Sequence, residues 1–305
     1  MKNLVKLIAP AKVNMVLAVG EARDDGFHRV DTIIHALALH DSLTMRRFDD
    51  EGSGEGLVLT LSCETLGGID ALSVPSEENI AYRAVARLYE ALGRDADETI
   101  QMSLTKMIPA EAGLGGGSSD AAAALLGAAV LWGVEPTDPR VLAVASELGA
   151  DVAFFLYGGC ARLSGKGEVL EATLAPRKGF VLLLRPDQGV STKEAYAAFD
   201  AAPVTLDEER LAALLSPADA ADVEPYNNMT DAACAVTPAI GEVLSFADGL
   251  EGGDAALLCG SGSAVCVPFS SYDAACAASV EAHKAGIWSR VTSFAPLGAA
   301  VVEAW

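Results

Sequence analysis

Gly113-Leu114-Gly115-Gly116-Gly117-Ser118-Ser119-Asp120 is the stretch on which the reading of this chain turns. Before it, from Thr99 to Ile108, the apolar residues Ile100, Met102 and Leu104 alternate as in a strand. After it, Ser118 to Trp132 is apolar all round, as a buried helix is. Consecutive glycines let backbone N–H groups converge on an anion, and the positive end of a helix dipole adds to the attraction. Four glycines ending in Ser-Ser at a helix start exceed what a turn requires. The loop therefore reads as a phosphate cradle, but of neither familiar kind. A Walker loop needs G-x-x-x-x-G-K and then Ser or Thr, whereas Gly159 to Lys166 has five residues between its glycines and is followed by Gly167. The Rossmann pattern needs a glycine where Ser118 stands, and a βαβ unit around it.

Working outward, Lys2 to Val19 reads as one or two strands bent at Pro10, and Asp24-Asp25-Gly26 as a hairpin turn into the apolar stretch Val30 to Leu39. Asp49 to Gly56 reads as a solvated loop, Leu57 to Leu61 as a strand, and Glu77 to Leu92 as a helix stopped by Gly93. Asp138-Pro139 opens a helix that Gly149 closes. Gly158 to Glu168 reads as a seam between domains. Phe180 to Leu184 follows as a strand, Glu194 to Phe199 and Asp207 to Leu215 as helices, and Ala255 to Cys259 and Ala264 to Phe269 flank Gly260-Ser261-Gly262. A helix and a strand finish the chain. Strands and helices intermix without a βαβ rhythm, which predicts the α+β class.

The chain has 305 residues, enough for two packed cores, and 51% of them are hydrophobic. Its net charge of −21 argues against a nucleic-acid partner, because phosphate backbones are held by many Lys and Arg. An anionic ligand must then be met by local basic groups and backbone donors. Six scattered cysteines without a C-x-x-C pair read as reduced core thiols. No apolar run approaches the roughly 20 residues that cross a bilayer, which predicts a cytoplasmic protein without a membrane partner. Its oligomeric state is not legible.

Lys12 and Asn14 lie two apart on a predicted strand, so they leave the same face. A lysine at a strand edge that snorkels to water would look the same. Asp151, between Gly149-Ala150 and the apolar run Val152 to Leu156, is either the cap of the next helix or a carboxylate set at the edge of a core. Transfer of a phosphoryl group to a hydroxyl needs such a carboxylate, with a cation beside it.

Ala9-Pro10-Ala11-Lys12-Val13-Asn14, Asp25-Gly26-Phe27-His28, Pro109 with the glycine loop, Gly149-Ala150-Asp151-Val152 and Gly260-Ser261-Gly262-Ser263-Ala264, in that order, resemble the GHMP kinase superfamily. The resemblance implies a two-domain fold. Residues 1–162 would form an ATP-binding and catalytic domain like ribosomal protein S5 domain 2, and 163–305 a ferredoxin-like substrate domain. It implies ATP and Mg2+ as cofactors, and phosphorylation of the 2-hydroxyl of 4-diphosphocytidyl-2-C-methyl-D-erythritol, a substrate with a cytidine diphosphate group, in non-mevalonate isoprenoid precursor synthesis. Lys12 and Asp151 match the catalytic pair. Pro109, Gly113, Leu114, Gly115, Gly116, Gly117, Ser118 and Ser119 match the phosphate loop, Ser118 being the candidate oxygen for Mg2+, and Asn79 matches an adenine-side position. Asn14, Phe27, His28 and Tyr196 fall on the substrate side, Phe27 where a tyrosine commonly stacks on cytosine. Glu111 departs from the pattern, which commonly has a small residue there. A homoserine or mevalonate kinase, or a non-catalytic nucleotide sensor, are the alternatives.

Overall fold

Two long antiparallel strands, β1 (Leu4–Ala22) and β2 (His28–Asp49), form the spine of the fold, paired along nearly their whole length. The structure is a computed structural model that describes residues 2–23, 26–50, 53–71 and 74–305. Pro10 does not split β1; it marks a register shift between Pro10 and Lys12 inside one strand. Asp24 and Asp25 of the predicted hairpin turn lie outside the described residues, as do residues 51 and 52 of the predicted loop. Beside the first gap the Arg23 N–H donates to the Phe27 carbonyl at 2.6 Å, and Gly26 has φ +80°.

After β3 (Leu57–Thr65), α1 (Ile80–Ala91) crosses over to β4 (Glu98–Lys106), which pairs parallel to β3 and antiparallel to β2. Then come α2 (Gly116–Trp132), α3 (Pro139–Leu148) and α4 (Ala150–Tyr157). As the sequence predicts, Asp138 caps α3, accepting from the Arg140 N–H at 2.9 Å, with Pro139 in its first turn. These helices pack on one face of the sheet, and α2 is buried on nearly every side. Burying a Val or Leu side chain contributes roughly 1.5–3 kcal/mol, so packing, more than the intrinsic propensity of its glycine-rich start, holds α2 in place.

The stretch 158–168, read as a seam, holds β5 (Cys160–Ser164) and the turn into β6 (Val169–Leu174). β5 pairs with β2 and β6, so a division at 162/163 would fall inside a strand of the first sheet. Past β7 (Phe180–Arg185), α5 (Thr192–Ala201), α6 (Glu208–Leu215), β8 (Tyr226–Asn227), α7 (Thr230–Val236), α8 (Ala239–Asp248), β9 (Leu257–Leu258), β10 (Val265–Phe269) and α9 (Tyr272–Lys284), the chain ends in two strands rather than one. These are β11 (Trp288–Ser293) and β12 (Ala300–Ala304). β12 returns to the first sheet beside β1, whose order is β12-β1-β2-β4-β3. The second sheet runs β11-β7-β10-β9, antiparallel throughout, with α5, α7, α8 and α9 contributing to its apolar core. The predicted α+β class is therefore the observed one. The cysteines are all free, but only Cys160, Cys259 and Cys266 are core thiols; Cys63 is exposed, because β3 is the edge strand of its sheet.

Candidate active site

A cavity of about 640 Å³ opens where β1, β2, the glycine loop, the first turn of α4, α5 and the turn at Gly260-Ser261 meet. Alternation along β1 sends Ala11 and Val13 into an apolar cluster on one side and Lys12 and Asn14 into the cavity on the other. Lys12 is 4% exposed, so it does not snorkel to water. Its ammonium donates to Asn14 Oδ1 at 2.6 Å and stands 3.5 Å from Asp151 Oδ2. Asn14 Nδ2 donates to Thr32 Oγ1 at 2.9 Å, and Thr32 to the Val16 carbonyl, so the amide is fixed with its oxygen towards the lysine. Asp151 does not cap α4; that place is taken by Gly149, whose φ of 167° is extended backbone. Asp151 lies in the first helical turn, where the helix dipole favours a negative charge, and its side chain remains 29% exposed to the cavity.

Gly115 precedes α2 with φ +72°, a left-handed conformation that glycine adopts without penalty. A Cβ there would stand 2.8 Å from Phe155 Cζ and 2.9 Å from Lys12 Cγ. At Gly113, also at φ +72°, a Cβ would lie 1.8 Å from the Cys259 carbonyl oxygen. The loop is thus pressed between β1 at Lys12 and the 259–262 backbone. The first N–H groups of a helix have no partner within it, and the residues that carry those of α2, Gly116, Gly117 and Ser118, line the cavity. Pro109, Gly113 and Gly115 also line it. Leu114 and Ser119 do not: their side chains are buried on the core side of the loop.

Below the loop lies an ionic cluster that the sequence did not reveal. Lys106 donates to Asp41 and, at 2.5 Å, to Asp120 Oδ2; all three are buried, and Lys106 and Asp120 line the cavity. Asp41 Oδ1 accepts from the Ile108 N–H at 2.9 Å and from the Met107 N–H, which fixes the chain leading into the loop. Asp120 Oδ1 is buried without a partner. Burial pushes the Asp120 carboxyl up to about 8; Lys106 pulls against this and Asp41 adds to it. Burial alone would lower the Lys106 ammonium, but the carboxylates of Asp120 and Asp41 outweigh it and raise its pKa.

Tyr196, on α5, lines the cavity; burial, then the negative charge of Asp151, pushes its phenol up to about 12. His28 lies behind it rather than in the cavity lining, with ring centroids 5.0 Å apart, and its Nε2 meets Asp200 Oδ1 at 2.7 Å. Phe27 is 54% exposed, outside the lining, with the Lys166 ammonium 4.2 Å from its ring centre. Asn79 lines the cavity and also caps α1, accepting from the Ala81 N–H at 2.9 Å. Glu111 has φ +51°, and its carbonyl accepts from the Ser263 N–H at 3.2 Å, tying the loop to the second half of the chain. Asn227, unremarkable in the sequence, donates to the carbonyls of Leu258 and Gly260 at 2.9 and 2.8 Å and holds the turn that closes the cavity.

Residues 79–159, which carry the loop and Asp151, match the model of the GHMP kinases N terminal domain. Among curated proteins, the chain is 35% identical over 268 residues to a 4-diphosphocytidyl-2-C-methyl-D-erythritol kinase of Salinispora tropica, covering 85% of this chain and 81% of that one. A protein of the same name from Mycolicibacterium gilvum is 36% identical over 317 residues, covering 98% and 93%. Among solved structures, a 4-(cytidine 5'-diphospho)-2C-methyl-D-erythritol kinase superposes with a TM-score of 0.71 at 33% identity, over 95% of this chain and 99% of that one. A homoserine kinase of Cytophaga hutchinsonii shares the fold with a TM-score of 0.71 at 22% identity, over 99% and 98% of the two chains.

Proposed function

The chain belongs to the 4-diphosphocytidyl-2-C-methyl-D-erythritol kinase family of GHMP kinases, and we propose that the cavity around Lys12 and Asp151 transfers the γ-phosphoryl group of ATP to the 2-hydroxyl of that cytidyl substrate. The single observation that carries this assignment of the site is a buried ammonium 3.5 Å from a partly exposed carboxylate, beside a helix start whose first residues line the same cavity.

Asp151 orients the acceptor hydroxyl and takes its proton as the bond to phosphorus forms. Lys12, held by Asn14, stands 3.5 Å from that carboxylate and faces the charge that develops on the transferred group. The N–H groups of Gly116, Gly117 and Ser118 receive the ATP phosphates, which reconciles an anionic ligand with a chain of net charge −21. A bound phosphate replaces the water that would otherwise solvate those donors, so the loop acts by alignment and charge stabilisation.

No group of three or more His, Cys, Asp and Glu among the described residues could hold a metal by itself. Mg2+ therefore fits here as an ion bound mainly by phosphate oxygens and water, with the Ser118 hydroxyl as the candidate protein oxygen in the cavity lining. It would neutralise phosphate charge.

The cytidine diphosphate group belongs on the side of Tyr196, whose neutral ring forms the wall in front of His28. Asp200 meets His28 Nε2 at 2.7 Å, which fixes the imidazole behind Tyr196. The location of such an enzyme is the cytoplasm, where its nucleotide is supplied. ATP consumption measured with the cytidyl substrate, homoserine and mevalonate tests the reading: turnover only with the first, suppressed by CDP, is expected. Preferential turnover of either small acceptor sinks it.

A further inference from the structure

We propose that Lys106 is a positioning residue for the phosphate loop, acting with Asp41 and Asp120 as one unit that sets how firmly the ATP phosphates are gripped. The inference rests on the nucleotide reading of the cavity given above. The three side chains come from three elements: Asp41 lies on β2, Lys106 ends β4, and Asp120 stands near the start of α2. The glycine loop is the connection between the last two, so the Lys106 to Asp120 bond of 2.5 Å closes that connection on itself. Lys106 also donates to Asp41 Oδ2, while Asp41 Oδ1 accepts from the Ile108 N–H at 2.9 Å. The entry to the loop and its exit are therefore tied to one ammonium.

Packing leaves no slack between the tie and the loop. A Cβ at Gly116 would stand 3.0 Å from Ile108 Cγ2 and 3.2 Å from the Lys106 ammonium, just as one at Gly115 would press on the stem of Lys12. Successive glycines of the loop thus rest on one lysine each. The place of Lys106 is costly for stability alone: burying an ammonium forfeits its hydration, and a cation against the start of a helix opposes the helix dipole. An apolar side chain of similar length would fill it at lower cost, since replacing buried ion pairs by well-packed apolar groups is often neutral or stabilising. Asp41 and Asp120 offset that opposition, and so does a phosphate seated at Gly116 and Gly117. The unit is balanced for an anion on the cavity side, which Lys106 and Asp120 both line. Asp120 Oδ1 has no partner, so Oδ2 and its bond to Lys106 hold this carboxylate in the unit.

The test compares two ligands that differ only in the phosphates. Dissociation constants of a non-hydrolysable ATP analogue and of adenosine are measured for the wild type, for Lys106→Met, and for a neutral triple variant in which Asp41→Asn and Asp120→Asn accompany Lys106→Met. The triple variant leaves no buried carboxylate without its cation, so it guards against a single variant that fails to fold. In the folded variants the analogue should bind roughly tenfold or more weakly, adenosine should be nearly unaffected, and the KM for ATP should rise while that for the acceptor stays. Equal weakening of both ligands would place Lys106 at the base, and unchanged affinity for the analogue would leave it a purely structural ion; either overturns the proposal. The binding measurements need no acceptor, so a wild type that binds the analogue but does not turn over the cytidyl substrate would sink the proposed reaction without touching this result.

Discussion

The Lys12 ammonium stands 3.5 Å from the Asp151 carboxylate although the two residues come from a central strand and from the first turn of a helix 139 positions later. Neither has a structural task that an apolar residue would not perform at lower cost, because burying a lysine sacrifices hydration. If Lys12 acts through Asp151, the two substitutions must be non-additive. Lys12→Ala and Asp151→Asn should each reduce kcat by roughly 10²–10⁴, and the double variant should lose little more than the worse single one. Steady-state rates of the four proteins measure the coupling; multiplicative losses would show that the two side chains work independently.

Gly115→Ala should damage nucleotide binding and folding together. The left-handed backbone costs a residue with a Cβ about 1–2 kcal/mol, and the added carbon would press on the Phe155 ring and the Lys12 stem. Thermal unfolding should shift downward, and the KM for ATP should rise more than that for the acceptor. An unchanged KM for ATP would separate this loop from the phosphates.

Asp120 makes stability depend on pH in an unusual direction. Its native carboxyl titrates near 8, whereas in the unfolded chain it titrates in the ordinary carboxylate range. Between those values the native state holds a proton that the unfolded state has released, so this group's contribution is full at low pH and is lost as pH rises through about 8. Asp120→Asn removes the titration. Melting temperatures of wild type and variant across pH 5 to 9 should therefore show the wild type losing ground to the variant as pH rises; parallel curves would contradict the assignment.

Replacing Tyr196 tests the substrate side. Loss of an aromatic contact corresponds to about 0.5–1.5 kcal/mol, so Tyr196→Ala should raise the KM for the cytidyl acceptor roughly twofold to tenfold while leaving that for ATP nearly unchanged. Tyr196→Phe should behave almost as wild type, since the phenol stays neutral at physiological pH. A larger effect on the KM for ATP in the alanine variant would place the tyrosine on the nucleotide side.

What the sequence disclosed and what it hid separate along physical lines. The glycine loop was legible because backbone geometry writes itself into residue type: φ +72° at Gly113 and Gly115 tolerates little else. Lys12 and Asn14 were legible through strand alternation, which needs no partner. The ionic cluster was not, since Asp41 and Lys106 meet only through the register of β2 on β4, in which Ser42 lies opposite Thr105. His28 and Asp200, 172 residues apart, meet for the same reason: a tertiary contact that local pattern does not encode. β5 was hidden in a glycine-rich stretch because it is short and takes its register from β2. Asn227 looks like a turn residue until its two carbonyl partners are seen.

If this cavity phosphorylates a cytidyl acceptor with Asp151 as the base, removing that carboxylate's charge must slow the chemical step itself. Single-turnover phosphoryl transfer from ATP to that acceptor, in wild type and Asp151→Asn protein saturated with both substrates, tests it most directly. Rapid transfer is expected in the wild type and a rate lower by orders of magnitude in the variant, with ATP affinity nearly intact. Near-normal transfer by Asp151→Asn would contradict it.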